Sequence, residues 1–142
     1  MGIILFIVSL VLTIPLFIVN VILAPIYDLI TLKWLSGVKN LNKWFKDLAV
    51  SVDQFGNGSC YRTLNATLIK KNGSKFGNID ETVSFVLGVN QLNGTLSKFG
   101  KFIVAILNIL EKNHCSKAVI HQKENDLKSV ERLKSDLYNG VK

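Results

Sequence analysis

The sequence predicts a mainly α-helical protein with an N-terminal transmembrane helix, an amphipathic interfacial helix and a small helical domain with a C-terminal helix. Three observations support this prediction. The first 27 residues carry no charged side chain, although the 142-residue chain contains 17 Lys and Arg and 10 Asp and Glu. Apolar residues then recur every three or four positions, which is the period of an α-helix. Turn signals made of Gly and Asn are concentrated between residues 56 and 94.

Residues 1–27 are predicted to form a membrane anchor. The polar side chains between residues 3 and 26 are Ser9, Thr13 and Asn20. A helix over these 24 residues is about 36 Å long, which crosses a hydrocarbon core of about 30 Å with some tilt. Pro15 is expected to kink the helix, and Pro25 is expected to mark its exit from the membrane.

Three alternatives exist for this apolar segment. A cleaved signal peptide would need a cationic beginning and a shorter apolar core, whereas no basic side chain precedes this apolar run. A buried core helix is disfavoured because the small basic remainder could hardly enclose a helix that is apolar on every side. A re-entrant hairpin would break at Pro15 or Asn20 and remains open.

Lysines after the apolar run predict its orientation. Four of them follow within about 20 residues, and none precedes it, so the positive-inside rule places the C-terminal bulk on the cytoplasmic side of a host inner membrane. In the internal membrane of a virion, the bulk would face the topologically equivalent compartment. The expected localisation is therefore a single-pass membrane protein in one of these two membranes.

Residues 28–55 are predicted to form an amphipathic helix on the membrane surface. Its apolar stripe consists of Leu35, Val38, Leu41, Phe45, Leu48, Val52 and Phe55. Indole rings beside lysines suit the headgroup layer of a bilayer. The expected membrane-interface residues are Tyr27, Lys33, Trp34, Lys39, Lys43, Trp44 and Lys46. The alternative is an ordinary amphipathic helix packed on the rest of the domain.

Residues 56–117 are predicted to form a small, loop-rich helical domain. The predicted turns lie at residues 56–58, 72–73, 76–78 and 93–94. A short helix is expected to begin with Asp80 as its N-cap and to end at Gly88. A longer helix is expected from Thr95, its N-cap, to Lys112. Its predicted inner face consists of Leu96, Phe99, Ile103, Ile106, Leu107 and Leu110.

Residues 118–142 are predicted to form a charged C-terminal helix with a thin apolar stripe. The members of this stripe are Ile120, Leu127, Val130, Leu133, Leu137 and Val141. A helix with so thin a stripe either docks on the domain or pairs with another copy of the chain.

The sequence offers few side chains for chemistry. The metal-capable set is Cys60, His114, Cys115 and His121. This set lacks the usual Cys-x2-Cys pairing of a zinc site. The adjacent His114 and Cys115 show neither a positioned base nor an oxyanion donor, and Asp80 and Glu81 are expected to interact with a helix start. We therefore expect no enzymatic activity, no metal, no cofactor and two buried free thiols rather than a disulfide.

The net charge of +7 predicts an anionic partner. Lysines beside a membrane anchor are explained more simply by anionic lipid headgroups than by nucleic acid, for which only non-specific phosphate contact is expected. The expected partners are therefore the lipid bilayer and, through the rest of the domain, capsid protein or sister copies.

Three separated blocks of the sequence resemble a family of short proteins encoded by bacteriophages and prophages. The blocks are Asp53-Gln54, Asp80-Glu81-Thr82-Val83-Ser84 and Asn113-His114-Cys115, within residues 49–118. The resemblance implies a phage origin and carries no activity, and the apolar N-terminal span is not part of the shared pattern. The expectation is thus a non-enzymatic, minor membrane or structural protein of a lipid-containing bacteriophage virion. The alternative is a holin-like or lysis-accessory protein acting on the host membrane.

Overall fold

The structure, a computed structural model, describes residues 1–31 and 34–140. Its helices are α1 (Gly2–Thr31), α2 (Trp34–Thr67), α3 (Val83–Leu92), α4 (Lys98–Leu110) and α5 (His114–Gly140). These residues contain no β-strand, and the only β-type pairing among them is an isolated antiparallel bridge between Ile69 and Leu96. The predicted mainly helical class is confirmed. The chain divides into two compact units, Met1–Ala49 and Val50–Lys142.

Helix α1 is apolar along nearly its whole length. The segment Gly2–Tyr27 is long enough and apolar enough to cross a membrane, and none of its residues is buried within the protein. Pro25, the predicted exit from the membrane, lies inside the helix, which continues to Thr31. A proline removes one backbone donor without preventing the following residues from remaining helical. The hydroxyl of Thr31 donates a hydrogen bond to the carbonyl of Tyr27, 2.7 Å away, within this last turn.

Helix α2 runs through residues 56–58 and ends at Thr67, so the turn predicted at these residues is wrong. The side chain of Asn57 is completely buried, and its amide donates hydrogen bonds to the carbonyls of Asn78 and Glu81 at 2.9 and 2.8 Å. Its Oδ1 accepts a hydrogen bond from the backbone nitrogen of Gly77. Asn57 is thus a helix residue that binds the following loop.

Of the two glycines beside Asn57, Gly58 is the one that allows that loop to approach α2. A Cβ atom at Gly58 would come within 2.9 Å of Cγ2 of Ile79, and one at Gly56 would lie 3.7 Å from Cγ2 of Val83. The glycine signal therefore reflects close packing at residue 58 rather than a change of chain direction. Turns do occur at the other predicted positions, where Gly77 and Gly94 have φ angles of 126° and 66°.

Helix α3 begins and ends later than predicted. Its N-cap is Thr82 rather than Asp80, and the Thr82 hydroxyl accepts a hydrogen bond from the backbone nitrogen of Phe85 at 3.0 Å. Gly88 is not a C-cap but a buried interior residue. A Cβ atom there would collide with the carbonyl oxygen of Cys115 and lie 2.6 Å from Cγ2 of Val119. Gly88 therefore allows α5 to pack closely against α3.

Helix α4 begins at Lys98 with Ser97, rather than Thr95, as its N-cap. Thr95 is buried and donates a hydrogen bond to Oδ1 of Asn90 at 2.6 Å. The predicted inner face of α4 is partly wrong, because its members Phe99, Ile106 and Leu110 are exposed. Gly100 lies against the carbonyl of Leu68, and this close approach turns Gly100 and Val104 toward the core.

The core of the second unit lies between α3, α4, the start of α5 and the segments that connect them. Its buried members are Leu68, Ile69, Phe76, Val86, Leu87, Leu96, Val104 and Cys115. Cys115 and Val119 cover α3 from the first turns of α5. The predicted stripe on the rest of α5 is exposed at Ile120, Leu127, Val130, Leu133 and Leu137, and Val141 lies outside the described residues.

Candidate functional site

The expected membrane-interface residues lie at exposed positions of α1 and α2, apart from Trp44. Tyr27, Lys39, Lys43 and Lys46 are exposed. Trp44 is half-buried, and its ring meets that of Phe45 edge-on, with 4.9 Å between the ring centroids. Lys33 and the side chain of Trp34 lie outside the described residues.

The lysines of α2 share one side of that helix. Positions 39, 43 and 46 are separated by four and then three residues, which is the spacing of neighbours on a helix surface. The half-buried Leu41 and Leu48 fall on the opposite side by the same geometry. A basic face opposite an apolar face is the pattern of a helix that lies in the headgroup layer.

The sequence blocks Asp53-Gln54, Asp80–Ser84 and Asn113–Cys115 meet within the second unit, at a site that we call the three-helix junction. It is formed by Asp53 of α2, Ser84 of α3 and His114 of α5. The carboxylate of Asp53 accepts a hydrogen bond from the backbone nitrogen of Ser84 at 3.2 Å. The Ser84 hydroxyl lies 3.2 Å from Nε2 of His114. The junction therefore links residues that are far apart in the sequence.

Other residues of the same blocks reinforce the junction. The side-chain amide of Gln54 donates a hydrogen bond to the carbonyl of Asp80 at 3.1 Å. Thr82 caps the start of α3, and the completely buried Cys115 belongs to the core cluster beneath. Each of the three blocks thus contributes at least one contact that holds the helices together.

The far side of the His114 ring is bound by a carboxylate. Nδ1 of His114 lies 2.8 Å from Oε2 of Glu111, and the other oxygen of this carboxylate lies 2.7 Å from Nζ of Lys117. Hydrogen bonds from Lys117 and His114 lower the pKa of Glu111 to about 2. The Glu111 side chain therefore holds the imidazole ring from the turn that precedes α5.

The contacts from Ser84 to His114 and from His114 to Glu111 resemble those between the hydroxyl, imidazole and carboxylate groups of a hydrolase triad. A nucleophile also needs an exposed hydroxyl and free donors for an oxyanion. Ser84 is only 6% exposed. Its own backbone nitrogen is bound to Asp53, and that of Phe85 is bound to Thr82. We therefore interpret the junction as a clamp that links the middle of α2 to the starts of α3 and α5.

The two cysteines have different environments and are both free thiols. Burial, assisted by the negative charge of Asp53, raises the pKa of Cys115 to about 11, so its thiol stays protonated and is a weak nucleophile at neutral pH. Cys60 is exposed on α2, so the expectation that both thiols are buried is wrong for this residue. Within residues 1–31 and 34–140, no group of three or more His, Cys, Asp or Glu side chains is placed to hold a metal ion.

Comparison with known proteins does not assign the chain to a family. No protein-family model matches it, and neither the curated proteins nor the solved structures give a match.

The sequence analysis did not predict that Asp53 and Glu111 are connected by hydrogen bonds through Ser84 and His114. The available signal was the order of the three blocks, because Asp53, Ser84 and His114 each belong to a different one. Glu111 lies just before the third block and carries no signal of its own in the sequence.

Proposed function

We propose that this chain is a non-enzymatic, membrane-anchored protein, and that it serves as a minor membrane or structural protein of a lipid-containing bacteriophage virion. The observation that carries the proposal is α1, in which Gly2–Tyr27 is long and apolar enough to cross a bilayer and has no buried residue. Transfer of such apolar surface from water into lipid is strongly favourable, at about 25 cal/mol for each Å². A bilayer is therefore the natural environment of this helix.

The charge pattern supports the same proposal. The basic face of α2, formed by Lys39, Lys43 and Lys46, follows directly after the apolar helix in the sequence. Lysines near a membrane surface are attracted to anionic headgroups by about 1 kcal/mol each. The resemblance of the three blocks to phage proteins supports a virion as the location.

The proposed mechanism is adhesive. Helix α1 fixes the chain in the bilayer, and the first half of α2 lies among the headgroups. The unit Val50–Lys142 then presents a protein surface to capsid protein or to sister copies. The hydroxyl, imidazole and carboxylate groups of the three-helix junction bind one another, which supports a structural rather than a catalytic role for them.

The anchoring is tested by alkaline extraction of membranes from bacteria that express the chain. We expect the full-length chain to stay in the membrane pellet and a variant without residues 1–27 to be released into the supernatant. A truncated variant that still resists extraction would show that α1 is not the anchor. The virion assignment is tested by probing purified particles of the source phage, where we expect a low copy number that disappears when lipid is extracted.

A lysis function is the second candidate, and one feature of α1 favours it. Thr13 and Asn20 line a single groove on the helix together with Leu16 and Leu23. Polar side chains on one side of a span promote association between helices in lipid. Several copies associated through this groove would form the kind of assembly that permeabilises a host membrane.

A potential-sensitive dye separates the two functions. Bacteria are induced to make the full-length chain, an Asn20→Leu variant, or a control that carries only residues 28–142. Rapid loss of membrane potential with the full-length chain alone would support the lysis function. An intact potential, with the chain found in the membrane fraction, would support the structural anchor.

A further inference from the structure

Helix α4 carries a strip of large apolar side chains that the core of its unit does not use. The buried residues of α4 are Gly100 and Val104. The exposed members of the strip, which we call the outer strip, are Phe99, Phe102, Ile106, Ile109 and Leu110, with exposed fractions of 51, 58, 39, 83 and 79%. Contiguous apolar surface of this kind marks an interaction site in a folded protein.

The outer strip is an ordered surface. Its first four members are separated by three, four and three residues, so they fall along one side of the helix. The rings of Phe99 and Phe102 stack on each other, with 6.3 Å between the centroids and an angle of 21° between the planes. These residues therefore form a continuous apolar ridge.

The charges of α4 are of one sign. The helix contains Lys98 and Lys101, both exposed, and no acidic residue. Helical geometry places Lys98 beside Ile109 at one edge of the outer strip and Lys101 farther round the helix on the same side. Large apolar side chains with lysines at their edge are the pattern of a helix that lies in a membrane interface, where the lysines meet anionic headgroups.

We propose that the outer strip of α4 docks onto the surface of a bilayer that contains anionic lipid. Phe99, Phe102 and Ile106 would enter the boundary between headgroups and acyl chains, and the two lysines would bind phosphate groups. The inference rests on the proposed function, because α1 is the element that brings the chain to a bilayer. Docking of the outer strip adds a lipid contact to the unit Val50–Lys142, to which the proposed function assigns only protein contacts.

A second copy of the chain fits the outer strip less well. Pairing two α4 helices through this face would give Lys98 and Lys101 no acidic partner on the facing helix, because α4 contains no acidic residue. The distal part of α5 differs, because its exposed stripe is accompanied by four basic and four acidic residues between positions 123 and 136. Charge therefore favours lipid at α4.

The test measures the depth of single labelled positions in the full-length chain. A Cys60→Ser background leaves Cys115 as the native thiol, which is buried. A polarity-sensitive fluorophore is attached at Ile106→Cys on α4, Val11→Cys on α1 or Ser129→Cys on α5. Each protein is reconstituted into phosphatidylcholine vesicles with 30 mol% phosphatidylglycerol, with or without a lipid that carries a quencher near the top of its acyl chain.

We expect the label at residue 106 to shift to the blue and to be quenched several-fold more by the lipid quencher than the label at residue 129. Vesicles of pure phosphatidylcholine should reduce this quenching several-fold. Phe102→Ser should reduce it as well, whereas Leu92→Ser, a change at an exposed residue of α3, should not. Equal quenching in the two kinds of vesicle would overturn the role assigned to anionic lipid.

The label at residue 11 separates failure of the inference from failure of the proposed function. Quenching at residue 11 with none at residue 106 would overturn docking and leave the anchor intact. Absence of quenching at residue 11 would overturn the anchor itself. A blue shift at residue 106 without quenching by lipid would mean that protein, such as a second copy, covers the outer strip, and would overturn the lipid assignment.

Discussion

The carboxylate of Asp53 accepts a hydrogen bond from the backbone nitrogen of Ser84, which lies 31 residues later in the first turn of α3. The first turn of a helix has backbone donors without helical partners and a partial positive charge. Asp53 thus acts as a cap supplied by a different helix. This contact, with the one between Ser84 and His114, ties α2, α3 and α5 into one unit.

Asp53→Asn should destabilise the second unit, because the neutral amide interacts more weakly with the helix start. The expected loss is about 1 to 2 kcal/mol. Hydrogen exchange of the α3 amides, followed by mass spectrometry, measures the free energy of opening. Asp136→Asn, at an exposed position of α5, should leave the exchange of α3 unchanged, and an equal effect of both changes would argue against the capping role.

Asn57→Ala should destabilise the unit more than Asp53→Asn does. Alanine would remove the hydrogen bonds that the Asn57 side chain makes to the carbonyls of Asn78 and Glu81 and to the nitrogen of Gly77, and the Asn78 carbonyl would keep the bond from the nitrogen of Glu81. The expected cost is about 2 to 4 kcal/mol, measured by the same exchange experiment. Asn125→Ala, an exposed change on α5, serves as the control and should alter stability by less than about 0.5 kcal/mol.

Alanine should have opposite effects at two helical glycines. At Gly56 the added methyl group meets only ordinary contact at 3.7 Å, so the better helix propensity of Ala should stabilise the unit by up to about 1 kcal/mol. At Gly88 the methyl group would collide with the backbone of Cys115, which should cost about 1 to 3 kcal/mol. Exchange rates that change in the same direction for both variants would contradict this packing.

The contact of Glu111 with Lys117 and His114 should make the stability of the folded protein depend on pH in the acid range. The pKa of this carboxyl falls from 4.5 to about 2 on folding. The folded chain therefore binds this proton less readily, so the stabilisation is complete above pH 4.5 and is lost as the pH falls toward 2. Its size is limited, because Glu111 is exposed to solvent.

Thermal unfolding of the wild type and of Glu111→Gln between pH 6 and pH 2 measures this loss. We expect the difference in midpoint between the two proteins to shrink as the pH falls from 4.5 toward 2. Glu124→Gln on the exposed part of α5 provides the control. A constant difference between wild type and Glu111→Gln across the whole range would contradict the assignment.

The two thiols should react at very different rates in the folded protein. Cys60 is exposed, whereas Cys115 is buried and has a pKa raised to about 11. Iodoacetamide at pH 7.5 should therefore modify Cys60 and leave Cys115 intact until the protein is unfolded. Peptide mass spectrometry gives the site, and rapid labelling of Cys115 in a native Cys60→Ser variant would contradict its burial.

The number and order of the helices could be predicted from the sequence, because hydrophobic periodicity reports which residues share a side of a helix. The glycines were interpreted correctly only in part. Gly77 and Gly94 have positive φ angles and lie in turns, whereas Gly58 and Gly88 lie inside helices and permit close contacts. The sequence shows where a glycine lacks a side chain, but it does not show which neighbouring atoms lie in the space beside it.

The three-helix junction could not be predicted from spacing, because its contacts join residues 26 to 31 positions apart. Hydrophobic periodicity carries no information on which parts of two helices meet. The same limit explains the error at α4, where close approach of Gly100 to Leu68 decides which face is buried.

The position of Cys115 and Val119 in the core has a consequence for the order of events during synthesis. Helix α3 remains uncovered until α5 is made, and Cys115 follows Tyr27 by 88 residues. At about 5 to 20 residues per second, this interval lasts about 4 to 18 s. Under the proposed function, α1 is therefore available for insertion into a membrane while the later unit still cannot close, so anchoring would precede folding of the unit Val50–Lys142.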